Sequence, residues 1–253
     1  MLSIVVLTKN EEKNILDCLE TILWADQIIV VDDYSEDRTV DVIGKLDCKK
    51  IQIYQRKLDG DFASQRNFGL EKAKGEWVLF IDADERISES LRDEINETII
   101  RQKNNPSVNG FNIKRQDILW GKLLKHGETG KISLLRLGKK DQGKWEGNVH
   151  EVWSMPKPIG ELDNVLLHYP HQTLAEFLSE INFYTNLRAS SLYKEGVNIK
   201  KRQIVLYPIG KFFINYFVKL GFLDGVQGLI VAIMMSFHSF LVRAKLWSLW
   251  RIN

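Results

Sequence analysis

Four short runs of Val, Ile and Leu, three of them followed by apolar residues at helical spacing, restrict this chain to α/β architectures. The first, Leu2–Thr8, stops at Lys9-Asn10-Glu11-Glu12, after which Ile15, Leu16, Leu19, Ile22 and Leu23 mark one helix face. Residues 27–31 stop at Asp32-Asp33-Tyr34-Ser35 and are followed by Thr39, Val40, Val42, Ile43 and Leu46. A third strand is expected over 50–54. A helix over about 62–73 then leads through Lys74-Gly75-Glu76 into the apolar run Trp77-Val78-Leu79-Phe80-Ile81. Strands without polar alternation are buried on both faces, so the pattern predicts a parallel sheet with helices on either side. Ligands of such sheets gather outside the carboxyl ends of the strands. Thr8, Asn10 and Glu11, then Asp32 and Asp33, then Asp82 and Asp84, should therefore meet at one edge.

The last of these clusters carries chemistry of its own. Strand residues two apart point the same way, so an extended chain through Asp84 would aim the carboxylates of Asp82 and Asp84 at one spot. Mg²⁺ and Mn²⁺ prefer such oxygens and keep open positions for phosphate. An Asp-x-Asp after a strand is also a common acidic turn or helix cap before Ser88-Glu89-Ser90.

The ordered set Val6-Leu7-Thr8-Lys9-Asn10-Glu11, Val31-Asp32-Asp33-Tyr34-Ser35-Glu36-Asp37-Arg38-Thr39, Gln65-Arg66-Asn67-Phe68-Gly69-Leu70 and Phe80-Ile81-Asp82-Ala83-Asp84-Glu85 resembles the family 2 inverting glycosyltransferases of the GT-A fold. Trp145-Glu146-Gly147-Asn148-Val149-His150-Glu151 and Gly221-Phe222-Leu223-Asp224-Gly225 resemble a narrower branch, the β-1,4-glucosyltransferases of lipopolysaccharide inner-core assembly. The resemblance implies a Rossmann-like mixed sheet with helices on both faces and a C-terminal helical extension. It also implies a UDP-sugar donor and a divalent metal, Mg²⁺ or Mn²⁺. Asp84 is then the principal metal ligand, Asp82 a contact to the ribose or to the metal's outer shell, and His168 a third ligand. Asp33 reads the uracil imide, Thr8, Asn10 and Glu11 line its pocket, and Arg66 and Asn67 contact the nucleotide or the aspartate pair. On the acceptor side Glu151 is the candidate base, with His150 its rival where the branch more often presents Glu-Asp. Trp145 is the candidate to stack on an acceptor sugar.

Two other readings of the same pattern are disfavoured. A sugar nucleotidyltransferase would open on a Gly-rich stretch bearing Arg, where this chain has Thr8-Lys9-Asn10-Glu11-Glu12. A phosphatase using Asp-x-Asp would place it on its first strand, followed by Thr or Val, whereas here it follows the fourth and precedes Glu85. A nucleotide-sugar-binding protein without turnover stays open.

With 44% hydrophobic and 27% charged residues, the 253-residue chain is not disordered. Residues 1–172 are expected to form the catalytic domain, with 1–105 holding nucleotide and 106–172, rich in strand-like pieces at 110–114, 131–137 and 145–153, holding acceptor. Thr173 and Glu176 spell a capping box opening a long helix. The helical region 173–253 is basic, with Lys200, Lys201, Arg202, Lys211, Lys219 and Arg243. Because it is also apolar and aromatic, an anionic membrane surface explains it better than nucleic acid. Residues 225–242 lack any charged side chain but are interrupted by Gly228, Ser236, His238 and Ser239. That suits a helix lying in the headgroup layer, with a buried helical hairpin as the other reading. No secretory signal is evident. A cytoplasmic enzyme, peripheral on the inner face of the membrane and meeting a lipid-linked glycan there, is the expectation.

Overall fold

The computed structural model describes residues 1–130, 132–147, 151–171 and 173–252, with the side chain of Ile252 left aside. Two compact units result: residues 1–115 with 133–168, and residues 116–132 with 169–253.

In the first unit, β1 (Leu2–Thr8), β2 (Gln27–Asp32), β3 (Ile51–Gln55) and β4 (Trp77–Asp82) lie in the order β3-β2-β1-β4 and all run parallel. Their alternate residues supply two cores. Leu2, Ile4, Val6, Ile28, Val30, Leu79 and Ile81 face α1 (Ile15–Glu20) and α4 (Glu89–Asn104), meeting Ile15, Leu19, Leu91 and Ile95. Val5, Ile29, Val31, Val78 and Phe80 face α3 (Phe62–Lys72), meeting Ala63 and Leu70. A strand buried on both faces cannot alternate polar with apolar, which is why these runs are continuous. The helix α2 (Thr39–Gly44) completes the β2–β3 crossover.

Beyond β4 the sheet stops being parallel. The order continues through β8 (Ile132–Lys139), β6 (Gly110–Leu119), β11 (Ile159–His168) and the short β5 (Glu85–Ile87). β8 runs antiparallel to β4, and β11 antiparallel to β5. The sheet is thus mixed and Rossmann-like, with flanking helices and a separate C-terminal helical extension. The 145–153 stretch is not one strand: β9 (Lys144–Glu146) and β10 (Val152–Ser154) pair with each other, Trp145 opposite Trp153.

One glycine sets how closely α3 approaches the sheet. A Cβ on Gly69 would collide with Val5 Cγ1 of β1. Because Arg66 lies one turn earlier, this close approach brings its guanidinium to the end of β4. Gly69→Ala is expected to destabilise the fold by about 1–3 kcal/mol through overpacking, read as a lower urea midpoint with unchanged slope.

The second unit holds β7 (Lys122–Leu123), paired with the end of β6, and three helices: α5 (Leu174–Lys194), α6 (Lys201–Phe213) and α7 (Gly225–Ile252). The Thr173–Glu176 capping box is formed. A π-helical turn, Ile214–Val218, and a 3₁₀ turn, Gly221–Asp224, join α6 to α7. Both cysteines are free, and burial pushes the Cys18 thiol well above its ordinary range.

Candidate active site

Register places the polar clusters at one edge of the first unit. Thr8 pairs with Asp32 and Leu7 with Asp82, so β1, β2 and β4 end side by side. Extended geometry does not persist to Asp84, however. The chain turns at Ala83-Asp84 and re-enters the sheet as β5, so the two aspartates part company.

Asp82 is claimed by two arginines. Arg66 Nη2 donates to its Oδ1 at 3.0 Å and Arg136 Nη2 to its Oδ2 at 2.8 Å. Burial alone would raise this carboxyl, yet the Arg136 and Arg66 charges hold it far below the usual range. Each Asp82 oxygen accepts from one arginine, so this carboxylate anchors Arg66 and Arg136 at the end of β4. Beside it Glu85 is wholly buried; its Oε2 accepts the Asp82 N–H at 2.8 Å, and Arg136 and Arg115 lie 3.4 and 3.9 Å from Oε1. Burial raises Glu85, the neighbouring Asp82 charge adds to the rise, and Arg136 only partly offsets them.

Arg66 also reaches across the chain: its Nε donates to Glu151 Oε1 at 2.9 Å. One guanidinium, itself 4% exposed, therefore joins the end of β4 to the candidate base, which lies 85 positions beyond Arg66. Among the described residues, Arg66 Nη1 and the Nε and Nη1 of Arg136 are buried without hydrogen-bond partners, a concentration of unsatisfied donors at this edge. His150, the rival base, lies outside the described residues.

Asp84 meets His168 instead. β5 and β11 pair Glu85 with His168, which brings His168 Nε2 to 3.1 Å from Asp84 Oδ2. Burial would raise Asp84, but the imidazole's charge and hydrogen bond hold it below its ordinary range. Among the described residues no group of three or more His, Cys, Asp and Glu side chains is disposed to hold a metal ion. A carboxylate and an imidazole side by side nevertheless fit attachment of a divalent cation whose remaining positions go to water and phosphate.

At the ends of β1 and β2, Thr8 Oγ1 is buried with no partner among the described residues, an orphan that suits a ligand. Asp33 Oδ1 accepts the Leu58 N–H at 2.9 Å, and Lys9 Nζ stands 3.6 Å from Oδ2. Asn10 and Glu11 are occupied otherwise. Asn10, at φ 54°, bonds its side-chain oxygen to the Glu36 N–H at 2.8 Å, while Glu11 donates its own N–H to Thr39 Oγ1 at 2.7 Å and accepts from Asn14 Nδ2 at 2.8 Å. They tie the loop after β1 to the loop after β2. Asn67 likewise clamps the backbone of Trp145 by two 2.9 Å bonds, from its Nδ2 to the carbonyl and from the Trp145 N–H to its Oδ1. Its amide is spent on holding β9.

Trp145 is core. Its ring is 5% exposed, stacked on Trp153 at 5.5 Å, met edgewise by Phe80 at 5.0 Å, with Arg66 4.8 Å from its centroid. No face is left for a sugar, which corrects the stacking role expected of it. The residue sequence reasoning missed is Arg136; a lone Arg in Leu134-Leu135-Arg136-Leu137 was its signal, since an apolar strand admits a charge only when it has a buried partner.

Residues 3–151 match the family model described as Glycosyl transferase family 2. An uncharacterized glycosyltransferase of Rickettsia conorii is 27% identical over 97% of this chain and 89% of its own length. A lipopolysaccharide core biosynthesis glycosyltransferase, LpsC of Rhizobium meliloti, is 25% identical over 97% of this chain and 92% of its own. Among solved structures, Staphylococcus aureus TarS 1–349 in complex with UDP-GlcNAc superimposes with a TM-score of 0.51 at 16% identity, covering 99% of this chain and 89% of that one, a likeness of fold.

Proposed function

The chain belongs to glycosyl transferase family 2 and is a glycosyltransferase, and on that premise we propose that it transfers a hexose, glucose for preference, from a UDP-sugar to a lipopolysaccharide core or related lipid-linked glycan with inversion. The observation that carries this reading is the bridge Asp82–Arg66–Glu151, which couples the donor edge of the sheet to an acceptor-side carboxylate. The name of the LpsC relative supports the glycan class of the acceptor.

Each residue has a task. Asp33 accepts from the uracil imide, and the orphan Thr8 hydroxyl lies at the same edge. Asp84 and His168 would hold a divalent cation, which when bound supplies neutralising charge for a departing diphosphate. Arg66 and Arg136, buried and pinned by Asp82, contribute preorganised positive charge that needs no rearrangement as the leaving group ionises. Glu151 takes the proton of the attacking hydroxyl as the new bond forms. Arg66 holds one Glu151 oxygen in place, leaving the other to the acceptor.

Glu151→Gln is expected to lower transfer by about 10²–10⁴-fold while UDP affinity stays within a factor of two. Normal turnover by this variant would remove Glu151 as base. A panel of nucleotide sugars, assayed with and without Mn²⁺ against truncated core acceptors, tests the donor. It includes UDP-GlcNAc because a protein of this fold is solved with it.

A further inference from the structure

The second unit carries more exposed apolar surface than its own packing accounts for, concentrated on α6 and the turns that follow it. Along α6, Val205, Leu206, Ile209 and Phe213 are each half exposed or more, and Phe217 continues the stripe into the π turn. At the tip, Val218 is 74% exposed and Leu223 53%. Patches this continuous on a soluble protein mark an interaction surface.

Charge identifies the partner. From Gly196 to Leu223 there is no Asp or Glu, whereas Lys200, Lys201 and Arg202 stand at the start of α6 and Lys219 near its far end. The first acidic residue, Asp224, is buried and occupied, accepting the N–H groups of Lys125 and His126 at 3.1 and 2.8 Å and pairing with His126 Nδ1 at 2.9 Å. An apolar stripe bordered by Lys200, Lys201, Arg202 and Lys219, with the neighbouring Glu128 neutralised by Lys211, is complementary to an anionic bilayer surface.

Orientation follows from what the same unit would drag along. Gly221–Arg251 is long and apolar enough to span a membrane, with mean hydropathy 1.7 and a third of its apolar window buried. But α7 packs against α5, which exposes Glu180, Asn182 and Asn186, and Lys245 Nζ bonds the Asn182 carbonyl at 2.9 Å. Spanning would place those groups in hydrocarbon. The loop over 125–130 is also pinned to the hairpin, Gly127 N–H to the Lys219 carbonyl at 2.9 Å and Lys211 Nζ to Glu128 at 2.6 Å; irregular backbone of this kind is excluded from lipid. The unit therefore lies along the surface. Between α6 and α7 an open apolar depression, lined by Ile204, Pro208, Ile233, Phe237 and Phe240, continues the apolar surface beside the stripe.

We propose that the α6 stripe and the tip turns, with the exposed Val226, Ile233, Phe237 and Phe240 of α7, dock this protein in the headgroup layer of an anionic membrane. The proposal deepens the reading of a lipid-linked acceptor and rests on it only in the choice of a bilayer as partner. Flotation of the full chain with vesicles of phosphatidylcholine, alone or with phosphatidylglycerol, tests it. Binding is expected to be about tenfold tighter to the anionic vesicles and to weaken with salt. I209E/F213E should weaken it at least tenfold, K200Q/K201Q/R202Q should abolish the preference for phosphatidylglycerol, and Ile100→Glu, an exposed apolar position on α4, should change nothing. Equal binding by I209E/F213E and the native chain would overturn the proposal. So would failure to bind vesicles together with elution as a dimer, which would show a second copy covering the stripe. Transfer to a soluble truncated acceptor, measured on the same variants, is expected to be unchanged. Its absence in the native chain would count against the glycosyltransfer reading alone.

Discussion

Arg136→Ala is expected to destabilise the protein by about 3–5 kcal/mol, the largest single effect on folding, because it strips a buried carboxylate of its counter-charge. Arg136 is 5% exposed and Glu85 not at all. Arg136 serves Asp82 and Glu85 together, so Arg66 alone would be left for the first and the more distant Arg115 for the second. The loss has a signature. Burial already raises Glu85 in the native protein, and without Arg136 it rises further. A folded-state value above the unfolded one gives stability that is complete below the ordinary carboxylate range and is lost as pH climbs through the folded value. The gap between Arg136→Ala and the native chain should therefore widen from pH 5 to pH 8 in urea titrations. Adding Glu85→Gln should narrow that gap and flatten its pH dependence. A cost below about 1 kcal/mol would mean that the arginine is not what sustains the buried acid.

Asp84→Asn is expected to lower Mn²⁺-stimulated transfer by about 10³-fold, with uptake of UDP in metal-free buffer unchanged. Only the increment in UDP affinity produced by Mn²⁺, measured by calorimetry, should disappear. Asp82→Asn makes the contrast. It should retain that increment and lose stability instead, because its oxygens serve Arg66 and Arg136. If Asp82→Asn abolished the metal increment and Asp84→Asn did not, the assignment of the two aspartates would be reversed.

The two aspartates also mark how far local reasoning reaches. Their position at and just beyond the end of β4, at the edge where β1 and β2 also end, follows from apolar runs and helical spacing, which depend on neighbours a few residues away. What each carboxylate touches does not. Asp82 finds a partner 54 positions later in Arg136, and Asp84 finds one 84 positions later in His168. Those meetings need β8 to run back along β4 and β5 to pair with β11, pairings that no periodicity encodes. Trp145 shows the same limit from the other side. A tryptophan beside the acceptor-side segment suits sugar stacking, but the pairing of β9 with β10 folds it against Phe80 and Trp153.

The amino-acid order alone determined the parallel β-α units, the acidic carboxyl edge, the capping box at Thr173 and a basic, apolar C-terminal region, because each is written in residues close enough to interact before the chain folds. Tertiary structure alone decided that Arg66 joins Asp82 to Glu151, that Arg136 serves Asp82 and Glu85 together, and that α6 bares an apolar stripe. The physical reason is distance along the chain: burial and charge pairing are settled by whichever segments close around a residue, and these arrive from tens of positions away.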